Sequence, residues 1–126
     1  MSSTPRSYVL PDLLAIVKWK SAFNPHHEEA AAASSKWTLN FGFFSGKKLE
    51  FFREGGSELL CSYVYYYAGL EELRTACDFV NWLFTVDEIT DDQDGEGARK
   101  TGEVLLKAFK DPEFDDGSRL CKMTKE

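Results

Sequence analysis

Apolar residues recur at helical spacing along most of the chain, and no segment alternates apolar and polar positions over the length of a strand. Positions i, i+3, i+4 and i+7 lie on one face of an α-helix, so this pattern predicts helices with one buried face. The longest pattern covers residues 70–92 and corresponds to roughly 33 Å of helix at 1.5 Å per residue. The predicted fold class is therefore all-α.

Glycine, proline and capping residues divide the pattern into separate helices. Asn24 and Pro25 form a typical helix start, and Gly42 follows the end of that helix. Residues 63–67 also have strand propensity, but their spacing favours a helix. The predicted helices cover residues 10–20, 24–41, 58–68, 70–92 and 98–110, with an acidic loop at 91–97 and one or two helical turns within 113–126.

Composition and charge narrow the classes of function. The chain has 126 residues and a hydrophobic fraction of 43%, which suits a single compact domain and argues against general disorder. Its net charge is −6 and its basic residues are scattered, so nucleic acid is not an expected partner. The three cysteines, Cys61, Cys77 and Cys121, have no zinc-type spacing, and we expect reduced, mostly buried thiols.

No segment has the features of a targeting or membrane-spanning sequence. The first 14 residues contain one arginine and a short apolar stretch broken by Pro11 and Asp12, which is unlike a signal peptide. No apolar run reaches the length needed to cross a bilayer. We therefore expect a soluble cytoplasmic protein without a membrane span.

The candidate chemistry lies at the carboxyl end of the 70–92 helix. Asp87 and Asp91 are four residues apart, so both project from one face, and Glu88 and Asp92 form a second pair beside them. These carboxylates repel one another and also meet the negative end of the helix dipole, so a cation would stabilise them. Oxygen ligands without histidine or cysteine favour Mg²⁺.

Apolar residues precede the carboxylates on the same helix. Phe84, Leu83 and Val80 are predicted to form an apolar, partly aromatic wall with an acidic rim at its end. Mg²⁺ in such sites shares its ligand shell with substrate phosphates, so the pattern indicates a phosphate ester with an apolar body. A divalent ion offsets the charge that develops on a departing diphosphate, and aromatic rings can stabilise a carbocation.

The acidic segment resembles the D-(D/E)-x-x-D motif of class I terpene synthases. The run from Asp87 to Asp91 reads D-E-I-T-D, and the run that begins at Leu73 is similar to the L-R-x-x-C-D sequence that opens the same helix in basidiomycete sesquiterpene synthases. The resemblance covers roughly residues 9–110. It also includes Pro11-Asp12-Leu13, Trp19, Asn24-Pro25-His26, Trp37 and residues 65–68.

The resemblance implies a fold, a cofactor and roles for single residues. The fold would be the N-terminal part of the class I terpene synthase helical fold, forming an incomplete bundle over residues 1–126. Asp87 would be the principal Mg²⁺ ligand, and Asp91 and Glu88 would be further or water-mediated ligands. Phe84 would line the cyclisation cavity, and the substrate would be a prenyl diphosphate, with farnesyl diphosphate expected.

This sequence also departs from the family pattern. Tyr66 stands where the family has a proline, and the W-P-W element is reduced to Trp19 between Lys18 and Lys20. The second metal motif, N-D-x-x-S-x-x-x-E, the diphosphate-sensing arginine and the late R-Y pair are absent from these 126 residues. We therefore expect a truncated chain that is inactive alone.

Several simpler interpretations remain open at this stage. The acidic cluster could be a solvated helix end, or the chain could be a cyclase remnant retained as a binding protein. Residues 92–103 match the calcium-loop spacing of an EF-hand, although Lys100 and Arg99 fit such a loop poorly. His26 and His27 are interpreted as capping or surface residues, and Arg74 is predicted to pair with a carboxylate such as Asp78 one turn away.

Overall fold

Every regular element that the computed structural model describes, over residues 7–126, is an α-helix. The prediction of an all-α class is confirmed. Met1 to Arg6 lie outside the described residues, so part of the segment considered as a signal peptide is not covered. The helices are α1 (Leu13–Ile16), α2 (His27–Asn40), α3 (Gly46–Gly55), α4 (Ser57–Val64), α5 (Leu70–Asp91), α6 (Gly95–Lys110) and α7 (Arg119–Lys125).

Helix α5 is the centre of the bundle. Helices α2 and α4 pack against it and against each other, while α6 and α7 pack together and contact α5 from another side. Trp82 on α5 joins this second pair, because its Nε1 donates to Thr124 Oγ1 at 2.9 Å and its ring meets Phe109 edge to face. Arg119 at the start of α7 donates to the Phe41 carbonyl beyond α2 at 2.9 Å. Helices α2, α4, α6 and α7 therefore all pack against α5.

Buried residues on α2 and α5 form rows that repeat every fourth position. Among the fully buried residues within the described range 7–126, most are small or polar, and only Leu73 and Met123 have large apolar side chains. Leu73 packs with Ala30, Cys61 and Cys77 in a compact apolar cluster. The rows are Ala30, Ser34 and Thr38 on α2, and Leu73, Cys77, Asn81 and Thr85 on α5.

A buried polar network joins the three central helices. Asn81 on α5 donates from Nδ2 to Ser34 Oγ on α2 at 3.0 Å and to Glu58 Oε1 on α4 at 2.7 Å. The Ser35 hydroxyl donates to the same Glu58 oxygen at 2.7 Å. Buried polar groups need such partners, because an unmade hydrogen bond there costs desolvation energy. The network consequently fixes the register of α2, α4 and α5, although Asn81 Oδ1 has no hydrogen-bond partner among the residues that the structure describes.

Asn24 is fully buried and connects the start of α2 to the turn between α4 and α5. Its Nδ2 donates to the carbonyls of Tyr65 at 2.7 Å and Ala68 at 2.9 Å, and its Oδ1 accepts from the His26 amide at 2.8 Å. The predicted helix start at Asn24 is therefore too early. The side chain holds a turn that precedes α2, and His26 is the capping position.

Other predicted boundaries also need correction. Residues 10–20 were predicted as a helix, but only α1 is helical there, with Asp12 Oδ1 accepting from the Leu14 and Ala15 amides. Helix α4 ends at Val64 rather than at residue 68, because residues 65–67 form the turn that Asn24 caps. Helix α6 begins three residues before its predicted start, with Asp94 as its cap. Helices α5 and α7 agree with the prediction.

Helix α3 was not predicted. Its backbone is delimited by glycines in the left-handed region, Gly46 with φ 53° and Gly56 with φ 58°. Glycine adopts this conformation without the steric cost that other residues meet. It is absent from the closely packed helix pairs. Lys48 connects it to the end of α5 through ion pairs, and Phe52 stacks on Phe44, just before the helix, with centroids 4.6 Å apart.

The burial of the three cysteines agrees with the sequence-based expectation. Cys61, Cys77 and Cys121 are buried and free. Cys61 and Cys77 are neighbours between α4 and α5, and the hydrogen bond with Cys61 together with burial raises the pKa of the Cys77 thiol. None of the helices within residues 7–126 combines the length and the apolarity that crossing a bilayer would require.

Candidate metal and diphosphate site

The predicted carboxylates lie on the last two turns of α5. Asp87 and Asp91 are exposed, whereas Glu88 is half-buried. Among the described residues, neither Asp87 nor Asp91 forms an ion pair within 4 Å. These two side chains are therefore free to take up a cation from solvent.

Glu88 and Asp92 are bridged by a lysine from another helix. Lys48 on α3 places its Nζ 2.6 Å from Asp92 Oδ2 and 3.3 Å from Glu88 Oε2. The hydrogen bond to Asp92 raises the pKa of Lys48, and Glu88 contributes in the same direction. The acidic rim thus already holds one cationic group. No spacing pattern in the sequence points to Lys48, because 40 or more positions separate it from Glu88 and Asp92.

An aromatic cavity lies beside Lys48 and Glu88 and has a volume of about 220 Å³. Four phenylalanine rings face it, and Phe84 from α5 is one of them. Glu88 and Phe84 both line this cavity, so the acidic end of α5 lies next to an apolar pocket. The lining residues are Phe44, Lys48, Phe51, Phe52, Gly55, Ser57, Phe84 and Glu88.

The structure places the six residues of the predicted site in three different surroundings. Phe84 and Glu88 line the cavity, whereas Asp87 and Asp91 lie on the exposed surface near its acidic edge. Leu83 is 47% exposed and does not line this cavity, and Val80 packs against the apolar cluster of the core. The roles of all six residues in binding metal or substrate remain predictions.

The donor set fits a hard divalent ion in its chemistry but is not preassembled. Carboxylates that face solvent can bind Mg²⁺ while the ion keeps several waters, which is its usual preference. The oxygens of Asp87, Glu88 and Asp91 do not all approach within 4.8 Å of one another. In residues 7–126 the one such group combines Asp115 and Asp116 with the thiol of Cys121.

The EF-hand interpretation of residues 92–103 is wrong. A calcium loop needs an irregular 12-residue backbone, but α6 begins at Gly95 and occupies most of this segment. Asp94 Oδ1 accepts from the Gly97 amide at 2.8 Å as a helix cap. Glu103, the expected bidentate ligand, is paired instead with Arg99 one helical turn earlier.

The structure also bears on the predictions for Arg74 and for the two histidines. Arg74 Nε donates to Asp78 Oδ1 at 2.7 Å, which confirms the predicted pair. His26 is the capping position of α2 and is exposed, as expected. His27 Nδ1 lies 2.7 Å from Ser62 Oγ on α4, so this residue contributes to the packing of α2 against α4.

The chain resembles known fungal proteins over its whole length. No family model matches it. It is 50% identical over 126 residues to linoleate 10R-lipoxygenase COP4 of Coprinopsis cinerea, and 50% identical over 126 residues to bifunctional terpene synthase Agr4 of Cyclocybe aegerita. It is also 34% identical over 125 residues, 99% of this chain, to sesquiterpene synthase 1 of Postia placenta.

The coverage of these relatives is partial. The chain spans 36% of COP4 and 37% each of Agr4 and the Postia protein, which is about a third of their length. The name of COP4 denotes fatty-acid oxidation, whereas the names of Agr4 and the Postia protein denote terpene synthases. By its sequence, this chain is similar to basidiomycete sesquiterpene synthases over about a third of their length, which is consistent with an N-terminal portion of them.

Proposed function

We propose that this chain provides the aspartate-rich part of a sesquiterpene synthase site, which binds Mg²⁺ and a prenyl diphosphate, with farnesyl diphosphate as the expected substrate. The observation that supports it most directly is the shared wall of Glu88 and Phe84, which brings an acidic edge and an aromatic hollow together. The terpene synthase names of the relatives support the same class of reaction. As part of this proposal, the protein acts in the cytosol.

The chain's own residues would divide the work between the rim and the cavity. Asp87, Asp91 and Glu88 would hold the ion, which when bound offsets the negative charge of a departing diphosphate. Phe84 and the neighbouring rings would enclose the apolar tail and exclude water. A cation over such a ring gains about 0.5–2 kcal/mol, so the same rings would stabilise the carbocation that remains.

The size of the cavity supports an incomplete site. Pockets for small molecules usually have volumes of about 300–1,000 Å³, which exceeds the 220 Å³ found here. A substrate with a fifteen-carbon chain would therefore fill this hollow only in part. Large apolar side chains of α4, α5 and α6 are also exposed, including Leu60, Tyr63, Phe79 and Phe109. This exposed surface is suited to contact further helices.

Two experiments test the proposal. First, the 126-residue chain mixed with farnesyl diphosphate and Mg²⁺ should give no hydrocarbon by gas chromatography, while calorimetry should detect diphosphate binding that requires Mg²⁺. Second, a chimera in which this chain replaces the matching segment of Agr4 should cyclise farnesyl diphosphate.

The Asp87→Ala variant should abolish Mg²⁺-dependent diphosphate binding by the chain and lower the activity of the chimera by about 100-fold or more, since electrostatic stabilisation of the leaving group is lost. Glu71→Ala is the matched control, because this exposed carboxylate lies at the other end of α5. Equal effects of both substitutions, or diphosphate binding that does not depend on Mg²⁺, would contradict the proposed metal site. The chain would then be interpreted as a helical binding module.

A further inference from the structure

The position of Lys48 needs an explanation beyond helix stability. Lys47 and Lys48 stand in the first turn of α3, which carries no acidic residue. Cationic side chains are unfavourable at this end of a helix, because its dipole is positive there. Lys47 has no ion-pair partner within 4 Å among the described residues, whereas Lys48 reaches across to α5 and pairs with two carboxylates.

The carboxylates that Lys48 contacts belong to the rim assigned above to the metal. Glu88 is one of the three residues expected to bind Mg²⁺, and Asp92 follows Asp91 directly. A carboxylate oxygen that faces an ammonium group at hydrogen-bond distance is only partly available to a metal ion. Lys48 also lines the aromatic cavity together with Glu88, so its side chain lies where the rim meets the hollow.

We propose that Lys48 is a tethered counter-ion that occupies the acidic rim when Mg²⁺ is not bound and competes with the metal for Glu88. This inference rests on the proposed function and adds a positioning role for a residue outside the aspartate-rich motif. When the metal binds, the Lys48 ammonium leaves Glu88. The Lys48 side chain is 44% exposed, so its ammonium can move away from Glu88 by a change of side-chain rotamer.

The first test measures Mg²⁺ affinity of the 126-residue chain by calorimetry with the metal alone. Lys48→Gln removes the competing cation and should bind Mg²⁺ about three- to tenfold more tightly than Lys47→Gln, the range expected for the loss of one or two partly exposed ion pairs. Both variants change the net charge equally, so their difference isolates the contact. Lys48→Arg keeps the cation and should have wild-type affinity. Circular dichroism checks that each variant is folded.

The second test follows the lysine itself. Acetylation by a small amine-reactive reagent, read by mass spectrometry, should be slow at Lys48 without metal because its ammonium is paired. Saturating Mg²⁺ should raise the Lys48 rate, which the remaining pair with Asp92 keeps below that of Lys47, and leave the Lys47 rate unchanged. This measurement does not depend on enzymatic activity, and a purely structural role of Lys48 would not produce it.

The outcomes separate this inference from the proposed function. If wild type binds Mg²⁺ and Lys48→Gln matches Lys47→Gln or binds more weakly, the counter-ion role is overturned and the metal site stands. A Lys48 acetylation rate that Mg²⁺ leaves unchanged has the same meaning. If neither wild type nor any variant binds Mg²⁺, the proposed metal site fails, and the role of Lys48 fails with it.

Discussion

Replacing Asn24 tests whether one buried amide holds the fold around the α4–α5 turn. Asn24→Ala removes three side-chain hydrogen bonds, to the carbonyls of Tyr65 and Ala68 and from the amide of His26. Each such bond contributes about 0.5–1.5 kcal/mol, and each buried group left without a partner costs about 1–3 kcal/mol. We expect a loss of about 3 kcal/mol in the free energy of unfolding.

Urea denaturation followed by circular dichroism measures this loss. With a slope of about 1.5 kcal/mol per molar urea, the midpoint should fall by about 2 M. Asn40→Ala, at the exposed end of α2, is the control and should change the free energy by less than about 0.5 kcal/mol. The difference in helix propensity between asparagine and alanine at position 40 changes the free energy of unfolding only slightly, because this residue is at the end of α2.

The Asn24→Asp variant distinguishes hydrogen bonding from packing, since it conserves the shape of the side chain. Its carboxylate would face the carbonyl oxygens of Tyr65 and Ala68 and could not donate to them at neutral pH. It should therefore be at least as destabilising as Asn24→Ala. Near wild-type stability of Asn24→Asp, or a loss of less than about 1 kcal/mol in Asn24→Ala, would refute the reasoning.

Two further predictions concern buried side chains. Glu58→Ala should lower the free energy of unfolding by about 2–4 kcal/mol, because Ser35 and Asn81 lose their hydrogen-bond acceptor. Glu58→Gln keeps an acceptor oxygen and should cost less than about 1 kcal/mol in the same urea assay. Equal losses in the two variants would mean that the charge of Glu58, and not its hydrogen bonding, is what stabilises the fold. The three buried cysteines should react with a thiol reagent only after denaturation, as measured by absorbance, and rapid reaction of the native protein would contradict their burial.

The sequence predicted the elements whose pattern is local and missed those that depend on distant contacts. Helix α5 carries 22 residues of helical periodicity, so its bounds agree with the prediction to within one residue. The turn after Val64 could not be anticipated from propensity, because it is held by Asn24 from 41 positions earlier. Helix α3 was missed because its connection to the bundle comes from distant residues, as in the pairing of Lys48 with Glu88 and Asp92.

The candidate site was predictable in its residue types and less so in its arrangement. The D-E-I-T-D motif indicated carboxylates on one helix, and Phe84 and Glu88 do meet at a cavity. The cation that bridges this rim comes from Lys48, and no spacing rule connects two residues on different helices. The dipole argument that singles out Lys47 and Lys48 needs the bounds of α3, which the sequence did not predict.

The four-residue repeat of the buried rows on α2 and α5 ends before the acidic residues. Its last member on α5 is Thr85, so residues 87–91 extend the helix beyond the packed seam. The exposed carboxylates of Asp87 and Asp91 can therefore be substituted without disturbing buried contacts, and a variant such as Asp87→Ala should keep its fold.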